Sequence, residues 1–169
     1  MSQSGYSDDT QQASATMIQH ILAKNTVVCD LTAANKKALL QDLAARAGAA
    51  FGHGAHAIFD VLWEREKLGT TGVGHGIAIP HGKIAGLSDV RGFFARLSAP
   101  VDFESVDDRP VDLVFLLLAP AESGADHLHA LAQVSKTLRD PAFCEQCRKA
   151  KDSATLYHML ISAANMQAA

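Results

Sequence analysis

Cysteine is scarce in this chain: Cys29, Cys144 and Cys147 are the only three in 169 residues. So few, and an odd number, exclude the disulfide framework of a small secreted domain and agree with a reducing compartment. An excess of positive charge is missing as well. Lys and Arg total 15 against 18 for Asp and Glu, a formal net charge of -3, so no overall field exists to hold a nucleic-acid backbone. Long apolar runs are absent too. The most apolar stretch, Val114 to Ala119, falls far short of the roughly 20 residues of a membrane helix and meets Pro120. The N-terminus has no basic region followed by an apolar one, so no secretory signal is read there and the cytoplasm is the expected compartment. No internal repeat or linker is read anywhere.

What is present suffices for a core. Hydrophobic residues make up 48% and charged residues 20% of a chain of ordinary domain length, which places it among folded globular proteins. Residues 1–15, dominated by Ser, Gln, Asp and Thr, read as a mobile tail, and 16–169 as a single domain. Ile18, Ile21 and Leu22 suggest a short helix to about Asn25, followed by a strand from Thr26 to Leu31. Thr32 is a candidate cap for a helix whose apolar positions Leu39, Leu40, Leu43, Ala44 and Ala47 recur until Gly48 and Gly52. A second helix is expected from Ala55 to Leu68, with Ile58, Phe59, Leu62 and Trp63 inward and Glu64, Glu66 and Lys67 outward. Further strands are expected at Ile77–Ile79, Val90–Leu97 and Val111–Leu118, the last two ended by Pro100 and Pro120. Helices from Asp126 to Leu138, Pro141 to Lys149 and Ser153 to Ala164, with Ser153 as a cap, complete the pattern. The fold class is α/β (α+β), a layered domain with a mixed, roughly five-stranded sheet flanked by helices.

Two features carry chemistry. His81 stands between Pro80 and Gly82 at the exit of the strand Ile77–Ile79, behind the glycine-rich lead Gly69 to Gly76. A fixed φ on one side and a permissive glycine on the other hold an imidazole at a strand end with room for a reactant. These residues alone leave open an ordinary turn histidine. The second feature is Asp126-His-Leu-His129 at the start of a helix. Stepping back four residues from Leu131 reaches His127, which faces inward, whereas His129 aligns with Gln133 and Lys136 and faces water. A first helical turn also favours an anion beside it.

Glu66, six residues, Val73-Gly74, two more, and Ile77-Ala-Ile-Pro-His-Gly82 resemble the phosphorylation-site signature of the type 2 (fructose/mannitol) IIA domains of the bacterial phosphotransferase system. The runs Arg65 to Gly72, Pro110 to Phe115, His127 to Leu131 and Leu156-Tyr157 resemble its stand-alone nitrogen-regulatory branch, and the likeness extends over about residues 18–164. The resemblance implies a phosphoryl carrier of a phosphoenolpyruvate-dependent relay. His81 would take a phosphoryl group from an HPr-like (NPr-type) phosphocarrier, with His127 its active-site neighbour, Arg65 a nearby cation, and no metal or organic cofactor. An unprotonated imidazole is an adequate nucleophile at neutral pH, and phosphoryl transfer asks of a protein mainly alignment and charge neutralisation. The output is read as regulatory, the regulated targets being unspecified; the IIA component of a fructose/mannitol-type uptake system is the alternative within the family. Outside it, a metal-dependent hydrolase built on His81, His127 and a carboxylate is the competing class, and a binding module without phosphoryl chemistry the third.

Other signals are set aside. Cys144-Glu-Gln-Cys147 has the spacing of half a redox or zinc site but no second pair, and reads as structural. His53 and His56 read as an interhelix loop, and Glu104 to Arg109 as either a solvated turn or a partner surface. His75 stays outside the catalytic set, because the glycines flanking it make a regular strand unfavourable.

Overall fold

The computed structural model describes residues 17–168, so the segment read as a tail lies outside the described residues. The elements are α1 (Ile18–Ile21), a 3-10 turn (Lys24–Thr26), β1 (Val27–Leu31), α2 (Lys36–Phe51), α3 (Ala55–Lys67), β2 (Gly72–Gly74), β3 (Ile77–Ala78), β4 (His81–Ile84), β5 (Arg91–Val101), β6 (Val111–Pro120), α4 (Ala125–Leu138), α5 (Pro141–Lys149) and α6 (Ser153–Ala168). The six strands form one mixed sheet in the order β1-β5-β6-β3-β2, with β4 also paired to β6. β5 and β6 are antiparallel; β1 on β5, and β3 and β4 on β6, are parallel.

β6 occupies the centre, and from Leu113 to Ala119 every residue is buried. That is the expected fate of a continuous apolar run in a sheet covered on both faces. Leu113, Phe115, Leu117 and Ala119 join the core beneath α1, α4, α5 and α6, while Val114, Leu116 and Leu118 join the core beneath α2 and α3. The alternation is the period-2 geometry of a strand. It sorts the functional residues as well.

The sixth strand comes from Pro80. Ile77 and Ala78 lie opposite Leu113 and Val114, and His81, Gly82, Lys83 and Ile84 lie opposite Leu117, Leu118, Ala119 and Pro120, so β3 and β4 keep one unbroken register along β6. Pro80 has no N–H to give the ladder and divides the strand, although its carbonyl still accepts from Leu117 N at 2.9 Å. His81 therefore opens a strand rather than sitting in a turn past the end of one.

Other boundaries differ from the sequence reading. Asn35, not Thr32, caps α2, its Oδ1 accepting from Ala38 N at 2.8 Å. Asp152, not Ser153, caps α6, accepting from Thr155 N at 2.7 Å, while Ser153 Oγ accepts from Cys29 N at 3.2 Å and ties α6 to β1. Asn and Asp accept as well at these positions as Ser or Thr do. The helix expected to end near Asn25 stops at Ile21. β5 continues through Pro100 to Val101 with a register shift, and β6 includes Pro120. Both are places where a strand tolerates a residue without a ladder donor.

Gly82 positions α3. A Cβ built there would lie 2.3 Å from Val61 Cγ1, far inside contact distance, while Val61 Cβ is at 3.7 Å. Val61 is β-branched and stiff, so the helix rather than the rotamer would have to yield. Gly82→Ala is therefore expected to push α3 outward and slow any chemistry that uses Arg65, one turn beyond Val61. The double variant Gly82→Ala/Val61→Ala should recover most of the loss. Absence of recovery in that pair, measured by activity and Tm together, would disprove the packing account.

Candidate active site

Register and pleat place His81 on the same sheet face as Ile77 and Ile79, the face covered by α4. His127, in the first turn of α4, reaches it with ring centroids 5.6 Å apart. Gly82 looks to the opposite face, against Val61 of α3, and the same helix brings Arg65 to the rim. Together with Glu64, Leu68 and Lys83 these residues line an open cleft of about 410 Å³. The structure thus brings together His81, His127 and Arg65, from three separated segments. His129 is exposed, as its helix phase requires.

The tautomer of His81 follows from one contact. Its Nδ1 lies 2.8 Å from the Ile79 carbonyl oxygen, which can only accept, so Nδ1 carries the proton and a neutral ring presents the Nε2 lone pair. Burial, the strongest influence, lowers the His81 pKa below its ordinary 6.5; the bond to Ile79 opposes this, Arg65 adds to the lowering and Glu66 opposes it. His127 is lowered too, first by burial and then by His81 and Lys83, and its Nδ1 is buried without a hydrogen-bond partner among the described residues. Arg65 Nη1 donates to the Gly69 carbonyl at 3.0 Å, which steadies the guanidinium at the end of α3. Lys83, two residues after His81 and on its side of the strand, is a cation that the sequence reading missed; alternation from His81 was the signal that could have found it.

Glu66 corrects an expectation. It is buried, not outward, and Lys36 Nζ lies 2.7 Å from its Oε1. Thr71 N donates to Oε1 at 2.9 Å and Thr71 Oγ1 to Oε2 at 2.6 Å. The Thr71 carbonyl in turn accepts from Ile79 N at 3.0 Å. A buried carboxylate is thereby linked through Thr71 to Ile79, the residue whose carbonyl holds the His81 ring.

Depressed histidines have a defined effect on stability. Between the lowered values and 6.5 the unfolded chain binds more protons than the folded one, so stability is complete above 6.5 and falls as pH drops through the folded values. Urea midpoints are expected to be level from pH 6.5 up to the range where the unfolded thiols ionise and to decline below pH 6.5, and His81→Asn/His127→Gln should flatten that decline. Asp107 and Asp152, whose carboxyls are held below the ordinary 3.8 by hydrogen bonds from His75, Arg109 and Thr155 backbones and the Thr155 hydroxyl, act only in a more acid window. An equally steep decline in the double variant would refute the assignment.

The remaining candidates lie elsewhere. His75 sits in a left-handed turn, φ 57°, away from the cleft, its N–H donating to Asp107 Oδ2 at 2.9 Å. The Glu104 to Arg109 segment is thus a turn that holds the β2–β3 hairpin. His53 Nε2 is 2.8 Å from the Ala85 carbonyl oxygen, and His56 lies within α3, not in the loop. Cys144 and Cys147 are buried in α5 and their thiols are pushed up by burial, Cys147 to about 12, as suits structural cysteines. Among the described residues no three His, Cys, Asp or Glu side chains are grouped as metal ligands, and no helix is long and apolar enough to cross a membrane.

A parallel-antiparallel sheet with helices on both faces carries a neutral histidine beside a second histidine and an arginine, and the comparisons give the class of domain to which this fold belongs. The chain belongs to the EIIA type 2 family of the phosphoenolpyruvate-dependent sugar phosphotransferase system, whose family model matches residues 20–163. Its relatives include nitrogen regulatory proteins: that of Bradyrhizobium diazoefficiens is 49% identical over 143 residues, covering 85% of this chain and 94% of the relative. That of Klebsiella oxytoca is 35% identical over 151 residues, covering 89% and 93%. The crystal structure of the nitrogen regulatory protein IIA-Ntr from Neisseria meningitidis superposes with a TM-score of 0.80 at 31% identity, covering 85% of this chain and 98% of that one.

Proposed function

We propose that the protein is a regulatory phosphoryl carrier of the cytoplasm, residues 16–169 acting as one domain, and that His81 accepts a phosphoryl group from the phosphohistidine of an HPr-like, NPr-type carrier protein. The observation that carries this reading is the 2.8 Å contact of His81 Nδ1 with the Ile79 carbonyl, because it leaves Nε2 as the free nucleophile. A bond forms between Nε2 and phosphorus as the donor's N–P bond breaks, and the proton stays on Nδ1, donated to the Ile79 carbonyl throughout. The new imidazolium-like charge is spread over a ring already held by that bond. Arg65, Lys83 and His127 supply the cationic or donor groups for the phosphoryl oxygens; charge-assisted bonds of about 1.5–3 kcal/mol each are enough to make the phosphorylated state persist without trapping it. Nothing in this step asks for a metal or an organic cofactor.

Two exposed leucines support a protein rather than a small molecule as donor. Leu68, 83% exposed, lines the cleft at the end of α3, and Leu128, 64% exposed, follows His127 on α4. Apolar side chains beside a shallow, open cleft suit a protein surface laid over it. The relatives' name, nitrogen regulatory protein, favours a nitrogen-related regulatory output over sugar uptake.

The test is incubation with phosphoenolpyruvate, the system's first enzyme and an HPr-like carrier. A phosphoprotein labile to acid and stable to base is expected, with phosphorus on Nε2 of His81 by phosphorus–proton correlation spectroscopy. Failure to label, or label on His127, would overturn the reading.

A further inference from the structure

A cavity larger than the His81 cleft lies away from it and plays no part in the transfer just described. It measures about 550 Å³, within the range of small-molecule sites, and opens between the β2–β3 hairpin and the corner where α4 passes into α5. Its floor is apolar, made by Ile77, Ile79, Leu138 and Cys144, all buried. Its rim carries three guanidinium groups, Arg109, Arg139 and Arg148, against one carboxylate, Glu145.

The cations differ in how they are held. Arg148 is fixed on three sides: Nε donates to Asp112 Oδ2 at 2.8 Å, Nη2 to the His75 carbonyl at 2.9 Å, and Nη1 lies 3.9 Å from Glu145 Oε2. The fit is close enough that a Cβ on Gly76 would stand 2.7 Å from Arg148 Nη2 and 2.9 Å from Asp112 Oδ1. Arg109 is only weakly engaged, with Nε 4.0 Å from Asp107 Oδ2. Arg139 makes no ion pair or side-chain hydrogen bond among the described residues. A preorganised wall with a free guanidinium opposite it, over an apolar floor, is complementary to a compact anion that also has an apolar body.

The floor is not neutral with respect to His81. Ile79 contributes its side chain to the cavity and its carbonyl to His81 Nδ1. Its N–H is held by Thr71, just before β2, so the peptides on both sides of Ile79 are constrained and a load on the residue is felt at each. We propose that this cavity binds a small organic anion, carboxylate or phosphate, with an apolar body, and that its occupancy is transmitted through Ile79 to the His81 imidazole. The binding half stands on the cavity alone; the transmission half rests on His81 as the phosphoryl acceptor.

The experiment uses the full chain, isotope-labelled, titrated separately with phenyl phosphate, benzoate, inorganic phosphate and benzyl alcohol. Saturable shifts at the Gly76, Ser135 and Leu138 amides and the Ile79 methyls are expected with phenyl phosphate or benzoate. Which of the two binds tighter tells phosphate from carboxylate. Inorganic phosphate and benzyl alcohol should bind at least about tenfold more weakly, and Arg139→Glu should lose at least about tenfold in affinity, the equivalent of one charge-assisted bond. His81→Asn should bind the probe as wild type does, which keeps failure of the carrier reading separate from failure of the site. Shifts that do not saturate with either aromatic anion, or that are confined to His81, His127 and Lys83, overturn the site. If binding occurs but leaves the His81 ring resonances and the rate of phosphorylation by the carrier as they were, the transmission is refuted.

Discussion

His81→Ala is expected to reduce phosphoryl acceptance from the carrier to background while far-UV circular dichroism and Tm stay near wild type. The imidazole contributes one hydrogen bond, to Ile79, worth about 1 kcal/mol, so the fold has little to lose; the proposed reaction loses its nucleophile. His81→Asn sharpens the result, since the asparagine amide can replace Nδ1 as donor to Ile79 and offers no nucleophile at the Nε2 position. It should be as inactive as His81→Ala and somewhat more stable. His127→Ala and Arg65→Ala should each remain phosphorylatable but slower by about 100-fold, the usual cost of removing one preorganised donor to a transferring group. If both act on the same oxygens, as proposed, their effects should combine by less than the product. Label persisting in His81→Asn would show that another residue is the acceptor.

Glu66→Ala is expected to be the most destabilising single substitution among the residues discussed. It would leave the Lys36 ammonium, 2.7 Å from the lost oxygen, and the Thr71 N–H and hydroxyl without their acceptor in a buried place. Breaking one side of a buried ion pair costs about 3–5 kcal/mol, or roughly 6–20 °C in Tm for a chain of this size. Glu66→Gln retains shape and one acceptor and should lose less. The second readout separates support from mere bulk: through Thr71 and Ile79 the carboxylate holds the His81 ring, so Glu66→Gln should alter the His81 titration and slow phosphorylation even where the protein is fully folded. A loss below about 1 kcal/mol for Glu66→Ala, or an unchanged His81 titration in Glu66→Gln, would show that the linkage carries no weight.

The residues show which parts of this structure a sequence can disclose. Helix phase separated His127 from His129, because four-residue steps from Leu131 are a local property. The same stepping from Ile58 to Leu62 leads to Glu66, so its burial was available too; its charge argued for water, and the compensating cation, Lys36, sits on another helix where no periodicity could reveal it. The six-strand count was hidden by Pro80, which interrupts the pattern of a strand whose pairing goes on beyond it, and by the glycine-rich lead, where Gly72–Gly74 pairs as β2 although no strand is expected there. Caps at Asn35 and Asp152 lay one to three residues from the residues expected, since several capping types stood close together. The large cavity had no signature at all. Its arginines come from a loop, the end of one helix and the last turn of the next, and only the folded chain makes them neighbours.

The continuous register of β3 and β4 along β6 has a consequence for how this molecule can fail. Successive residues of a strand point to opposite faces, so a slip of a single position would deliver Gly82 to the helix that carries His127 and bury His81 against Val61. Such a slip would also turn Ile77, Ile79 and Ile84 away from the cores they fill. The apolar side chains that stabilise the sheet thus act as a proofreading device for the proposed nucleophile: a chain that has closed its cores has, by the same event, aimed its imidazole.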